Sequence, residues 1–102
     1  MYAIMTAIYP NDKAKEAADT YLKAMAKYPD DASLAAPIVP LAVRATLQGM
    51  KVIVIYELKK GKFEEALALG VKRMGMFHHI PGYRYSIKTY MNIEEAMKTV
   101  GM

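Results

Sequence analysis

The spacing of apolar positions changes along the chain, and each change marks an element. Tyr2 to Tyr9 is a short, mostly apolar run closed by Pro10-Asn11-Asp12, which reads as a strand meeting a helix N-cap. Beyond it, Ala14, Ala17, Ala18, Tyr21, Leu22, Met25 and Tyr28 recur at intervals that suit one helical face. Lys13, Lys15, Glu16, Asp19, Lys23 and Lys27 take the wet side. Pro29 ends this helix and opens a proline-punctuated connector to Pro40, whose Leu34-Ala35-Ala36 is apolar enough to lie against the body. Leu41–Gln48 and Lys51–Leu58 flank Gly49-Met50, a two-residue loop with glycine first, which suits a type II′ hairpin. The derived register pairs Gln48 with Lys51, Thr46 with Ile53 and Arg44 with Ile55. On the other face it pairs Leu47 with Val52, Ala45 with Val54 and Val43 with Tyr56, all apolar.

A second helix carries Phe63, Ala66, Leu67, Gly70, Val71, Met74, Phe77 and His78 on one stripe and ends before Pro81-Gly82. Tyr83 to Met91 alternates as a strand. Asn92 caps a last short helix, Ile93–Val100, with Glu94 and Glu95 in its first turn, where the helix dipole favours them. An internal echo at an offset of 49 matches Ile4 with Ile53, Glu16 with Glu65, Ala17 with Ala66 and Met25 with Met74, so strand falls on strand and helix on helix. The expected fold is α+β: a ferredoxin-like βαββαβ sandwich with a C-terminal helix. Its four-stranded antiparallel sheet runs in the order 4-1-3-2, with two helices on one face.

The 102 residues suit one domain, spanning 1–102, and the 54% hydrophobic content excludes an intrinsically disordered chain. With no cysteine, disulfides, thiolate metal sites and cysteine nucleophiles are excluded. No secretory pattern or membrane-length apolar run is present, so a cytoplasmic location is the default expectation and no membrane partner is expected. The net charge of +4 is scattered rather than blocked. RNA-recognition modules share this element order but stack bases on aromatic residues of the central strands, where Ile4, Ile53 and Ile55 stand here; no nucleic-acid partner is expected. The first strand–helix loop, Tyr9-Pro10-Asn11-Asp12, offers no arginine for an acylphosphatase-like phosphate site.

The two sheet faces differ. Ala3, Met5, Ala7, Val43, Ala45, Leu47, Val52, Val54, Tyr56, Tyr83, Tyr85 and Ile87 should face the helices. Ile4, Thr6, Ile8, Ile53 and Ile55 form an apolar stripe on the open face, rimmed by Arg44, Glu57, Arg84 and Lys88. Such a stripe is best covered by a second copy of the same sheet, because a two-fold interface is self-complementary; the terminal helix folding back over it is the alternative. In this arrangement the chain resembles the dimeric α/β-barrel superfamily, which includes small stress-responsive barrel proteins, antibiotic-biosynthesis-type monooxygenases and muconolactone-isomerase-like enzymes. The resemblance rests on element order and face pattern and carries over no catalytic motif. It implies a homodimer and a ligand between helices and sheet.

Tyr21, Tyr56, Tyr83 and Tyr85 fall on inward stripes with Phe63, Met74 and Phe77, among the small residues Ala3, Ala7, Ala45, Ala66 and Gly70. This pattern suits an aromatic pocket with a few polar tips. The opposing expectation is a dry core filled by the nine methionines. His78 on the inward stripe is the candidate acid/base; the alternative is that His78 and His79 cap the helix C-terminus, favoured there by the dipole. No ligand spacing for a metal occurs, and no cofactor is expected. Arg44 is expected to pair diagonally with Glu57 across the hairpin, anion capture by Arg44 or Arg84 being the alternative. The functional expectation is a homodimer binding a small apolar or aromatic metabolite, with cofactor-independent monooxygenase or isomerase chemistry. The rival is a non-catalytic structural or protein-interaction module with a solid core.

Overall fold

The computed structural model describes residues 1–101. The strands are β1 (Tyr2–Tyr9), β2 (Ala35–Thr46), β3 (Gly49–Leu58) and β4 (Arg84–Tyr90); the helices are α1 (Ala14–Lys27), α2 (Phe63–Gly75) and α3 (Ile93–Thr99). The four strands form one antiparallel sheet in the order β2-β3-β1-β4. In the two central strands Ile4 lies opposite Ile55 and Thr6 opposite Ile53, while Met5 meets Val54 and Ala7 meets Val52. Residues of the second set face α1 and α2, and their buried core contains Ala7, Tyr9, Ala17, Ala24, Val52, Met74, Phe77 and Ile80. Residues of the first set face away.

Three local expectations are corrected. The segment expected to be connector up to Pro40 becomes strand from Ala35 onward. Pro37 and Pro40 are tolerated because β2 is an edge strand and its ladder shifts twice, between Pro37 and Val39 and between Val39 and Ala42. The hairpin turn lies at Leu47-Gln48 rather than Gly49-Met50, and Thr46 pairs with Gly49. Thr46 Oγ1 holds it there, donating to the Gly49 carbonyl at 2.6 Å and accepting from Gln48 N–H at 3.2 Å. Gly49 is a ladder residue at φ +141°, and a Cβ there would stand 2.5 Å from the Tyr9 carbonyl oxygen. The partner of Thr46 thereby moves four residues along β3, an even number, so the division of faces survives. Leu47, expected to face the helices, sits in the turn and is 98% exposed.

The same shift removes the expected Arg44–Glu57 pair. Arg44 lies opposite Lys51, and Glu57 lies between Ala36 and Tyr2. The third correction concerns α2, which ends at Gly75 and gives way to turns through His79. Ile80-Pro81-Gly82-Tyr83 then closes a turn through Tyr83 N–H to the Ile80 carbonyl at 3.2 Å. Proline occupies its second position and Gly82, at φ +78°, its third, as a type II turn requires. The expected cap at α3 forms fully: Asn92 accepts from Glu95 N–H and Glu95 accepts from Asn92 N–H, both at 2.9 Å.

The molecule measures 49 × 30 × 17 Å, with a radius of gyration of 14.8 Å, against about 13 Å for a compact chain of this length. The longest strand is β2, whose 12 residues span at most about 40 Å at about 3.3 Å per residue. Ile38, Leu41 and Val43 on this edge strand are exposed, and no residue of β2 joins the buried core. Among the described residues no large side chain is fully buried.

Candidate functional site

Between the two helices and the sheet lies a cavity of about 370 Å³. Its floor is built from the strand positions that alternation sends toward the helices, Ala3 and Met5 on β1 and Val52 and Val54 on β3. Its roof comes from the small and aromatic positions of the two amphipathic stripes: Ala17 and Tyr21 from α1, and Ala66, Gly70 and Met74 from α2. The small residues among these positions leave the space beneath the helices unfilled. A Cβ added at Gly70 would meet only Ile87 Cδ1, at 3.5 Å.

The ends of the cavity differ. At one end Tyr9, Tyr83 and Phe77 stack: the tyrosine rings are 5.5 Å apart at 5°, and Phe77 lies 4.6 Å from Tyr83. Burial pushes the phenols of Tyr9 and Tyr83 above the ordinary tyrosine range. The other end carries the polar groups Asp30, Asp31, Tyr56 and Arg73. Arg73 Nε donates to the Tyr28 carbonyl at 2.7 Å, Nη2 to Asp30 Oδ1 at 3.0 Å and Nη1 to the Tyr56 oxygen at 3.4 Å. Tyr56 O–H donates to the same Asp30 oxygen at 2.5 Å. Burial, reinforced by this bond to a carboxylate, pushes the Tyr56 phenol up to about 12. Asp31 accepts from Ser33 N–H and Oγ at 2.9 and 2.6 Å, which holds its carboxyl below the usual range. This planar guanidinium therefore ties the segment after α1 to α2 at the cavity wall.

Of the residues expected to form the pocket, Tyr21, Tyr56, Tyr83, Met74 and Phe77 line it. Tyr85 packs against the buried cluster opposite Ala7, and Phe63 is half-buried at the start of α2; neither reaches the lining. The inward orientation expected of His78 is not found. The end of α2 at Gly75 breaks the stripe before it, and His78 is exposed and outside the lining. His79 instead reaches Thr20, whose hydroxyl lies 3.4 Å from Nε2 and donates to the Glu16 carbonyl at 2.8 Å. Sequence reasoning missed Arg73 and Asp30. Arg73 sits three residues beyond Gly70 and four before Phe77, on the edge of the apolar stripe, and that position was the available signal. Nothing in the connector marked Asp30.

On the far side of the sheet, Ile4, Ile8 and Ile55 are half-buried, while Thr6 and Ile53 are exposed, Ile53 by 44%. Thr6 and Ser86 hydroxyls meet at 3.1 Å. The terminal helix α3 buries none of its residues, and Ile93 and Met97 remain exposed. Among the described residues, no three histidine, aspartate or glutamate side chains gather into a metal-binding group, and no helix is long and apolar enough to cross a membrane. Comparisons with protein-family models, with curated proteins and with solved structures find no match to this chain.

Proposed function

We propose that this chain is a homodimeric, ferredoxin-like α/β-barrel protein that binds a small, largely apolar and aromatic metabolite between its helices and its sheet. The observation that carries the reading is the cavity of about 370 Å³, apolar along its length and polar at one end. Volumes of roughly 300–1,000 Å³ with a few convergent polar groups are the usual form of small-molecule sites. The rival reading, a solid interaction module, needs methionines to fill this space. Met5, Met25 and Met74 line it instead.

The strand order, read from the β4 edge as 4-1-3-2, supports the ferredoxin-like assignment. Ile4, Thr6, Ile8, Ile53 and Ile55 supply the proposed dimer interface, and Arg44, Lys51, Arg84 and Lys88 sit around it. Each aliphatic side chain buried there contributes about 1.5–3 kcal/mol. If catalysis of the monooxygenase or isomerase kind occurs, the groups at the cavity wall are Tyr56, Asp30 and Arg73, with His78 outside it. Native mass spectrometry of the undenatured protein tests both parts. The expected spectrum shows a dimer carrying an added small mass. A monomer at micromolar concentration contradicts the interface, and a dimer that gains no mass after incubation with excess naphthalene, 2-naphthol or 2-naphthoate, and binds none of them in solution, contradicts the cavity.

A further inference from the structure

The polar end of the cavity limits what the head of a ligand can be. Both hydrogen bonds to Asp30 arrive at Oδ1, from Tyr56 and from Arg73; Oδ2 accepts none from the described residues. The lining holds two carboxylates, Asp30 and Asp31, against one guanidinium, and Lys62 acts on Asp31 from outside the lining. A ligand carboxylate placed here meets two carboxylates, Asp30 and Asp31, against a single guanidinium already paired with Asp30. A cationic head meets Arg73, 3.0 Å from the same aspartate. A neutral hydroxyl escapes both penalties: it donates to Asp30 Oδ2, and its oxygen accepts from one of the two Arg73 N–H groups that the three contacts leave over.

The body is limited by the walls. At about 30 Å³ for each water-sized group, 370 Å³ holds about a dozen such groups. The apolar floor and the Tyr9–Tyr83–Phe77 stack suit a flat, unsaturated skeleton. Resting on the cavity reading above, we infer that the site selects a neutral hydroxylated aromatic, a phenol or naphthol-like molecule of about a dozen non-hydrogen atoms, over the corresponding hydrocarbon and carboxylate. Its hydroxyl meets Asp30, Tyr56 and Arg73, and its ring lies along the floor toward Tyr83.

Three probes of one skeleton test this: naphthalene, 2-naphthol and 2-naphthoate, titrated against the intact protein by fluorescence or calorimetry. The expected order is 2-naphthol tightest, by about tenfold over naphthalene, as one hydrogen bond to a charged group implies, with 2-naphthoate weakest. Asp30→Asn, whose amide oxygen can still accept from Tyr56 and Arg73, should narrow the naphthol advantage and strengthen naphthoate, leaving naphthalene unchanged. A purely structural role for Asp30 would instead weaken all three together, and that result overturns the inference. Equal affinity for naphthol and naphthalene, or tightest binding of naphthoate, overturns it while leaving the cavity reading intact. Failure of all three to bind overturns the cavity reading itself.

Discussion

Replacing Gly70 by alanine sets helix propensity against space. Gly70 lies in the interior of α2, where glycine is less favourable than alanine by roughly 0.8–1.0 kcal/mol. It also lies on the cavity wall, and its new methyl would meet only Ile87 Cδ1, at an ordinary 3.5 Å. Nothing has to move, so the propensity gain should appear in full. Gly70→Ala is therefore expected to stabilise the protein by about 1 kcal/mol, a rise in Tm of about 4–8 °C for a domain of this size. Differential scanning calorimetry at one fixed protein concentration measures it, since the proposed dimerisation would make Tm depend on concentration. A solid core predicts the opposite sign, because adding a methyl to filled space costs about 1–3 kcal/mol. A fall in Tm of several degrees would refute the claim that the space beneath α2 is open.

Other substitutions probe the framework around the cavity. Arg73→Met keeps the bulk but strips Asp30 and the Tyr28 carbonyl of a charged donor, and should cost about 2–3 kcal/mol by urea denaturation. Arg73→Lys should recover less than half, since one ammonium cannot make three divergent contacts. Because the Tyr56 phenol is raised to about 12, its contribution to stability is complete below the unfolded tyrosine value of about 10 and is lost as pH climbs toward 12. Phenolate absorbance should show this tyrosine ionising late, and Asp30→Asn should bring it down. Gly49→Ala, with its Cβ against the Tyr9 carbonyl, should cost at least about 2 kcal/mol more than Gly61→Ala, which has positive φ but open space. Equal losses by thermal denaturation would show that backbone conformation alone sets the cost.

The faces of the sheet were legible because alternation survives an even register shift: Ile4, Ile53 and Ile55 share the open face although the hairpin turns two residues earlier than expected. The start of β2 was illegible because Pro37 and Pro40 break a central strand but are harmless at the bulges of an edge strand. Gly49 reads as a turn glycine in isolation. Its actual constraint, the Tyr9 carbonyl, comes from a neighbouring strand that local pattern cannot see. The apolar wall of the site was readable from helical stripes, hence Tyr21, Met74 and Phe77. The polar end depends on a loop, Pro29 to Ser33, being brought back against α2, and no local spacing encodes that return. His78 was misplaced because the stripe was carried past Gly75, where the helix ends.

The central claim is that a small molecule lies beneath α1 and α2, and the methionines report directly on that space. Protein labelled with ¹³C at the methionine methyls, saturated with 2-naphthol, should show ring-current shifts at Met5, Met25 and Met74, which line the cavity. Met91 and Met97, exposed on the far part of the chain, should stay where they are. Shifts confined to Met91 or Met97, or none at any methionine, would contradict the account.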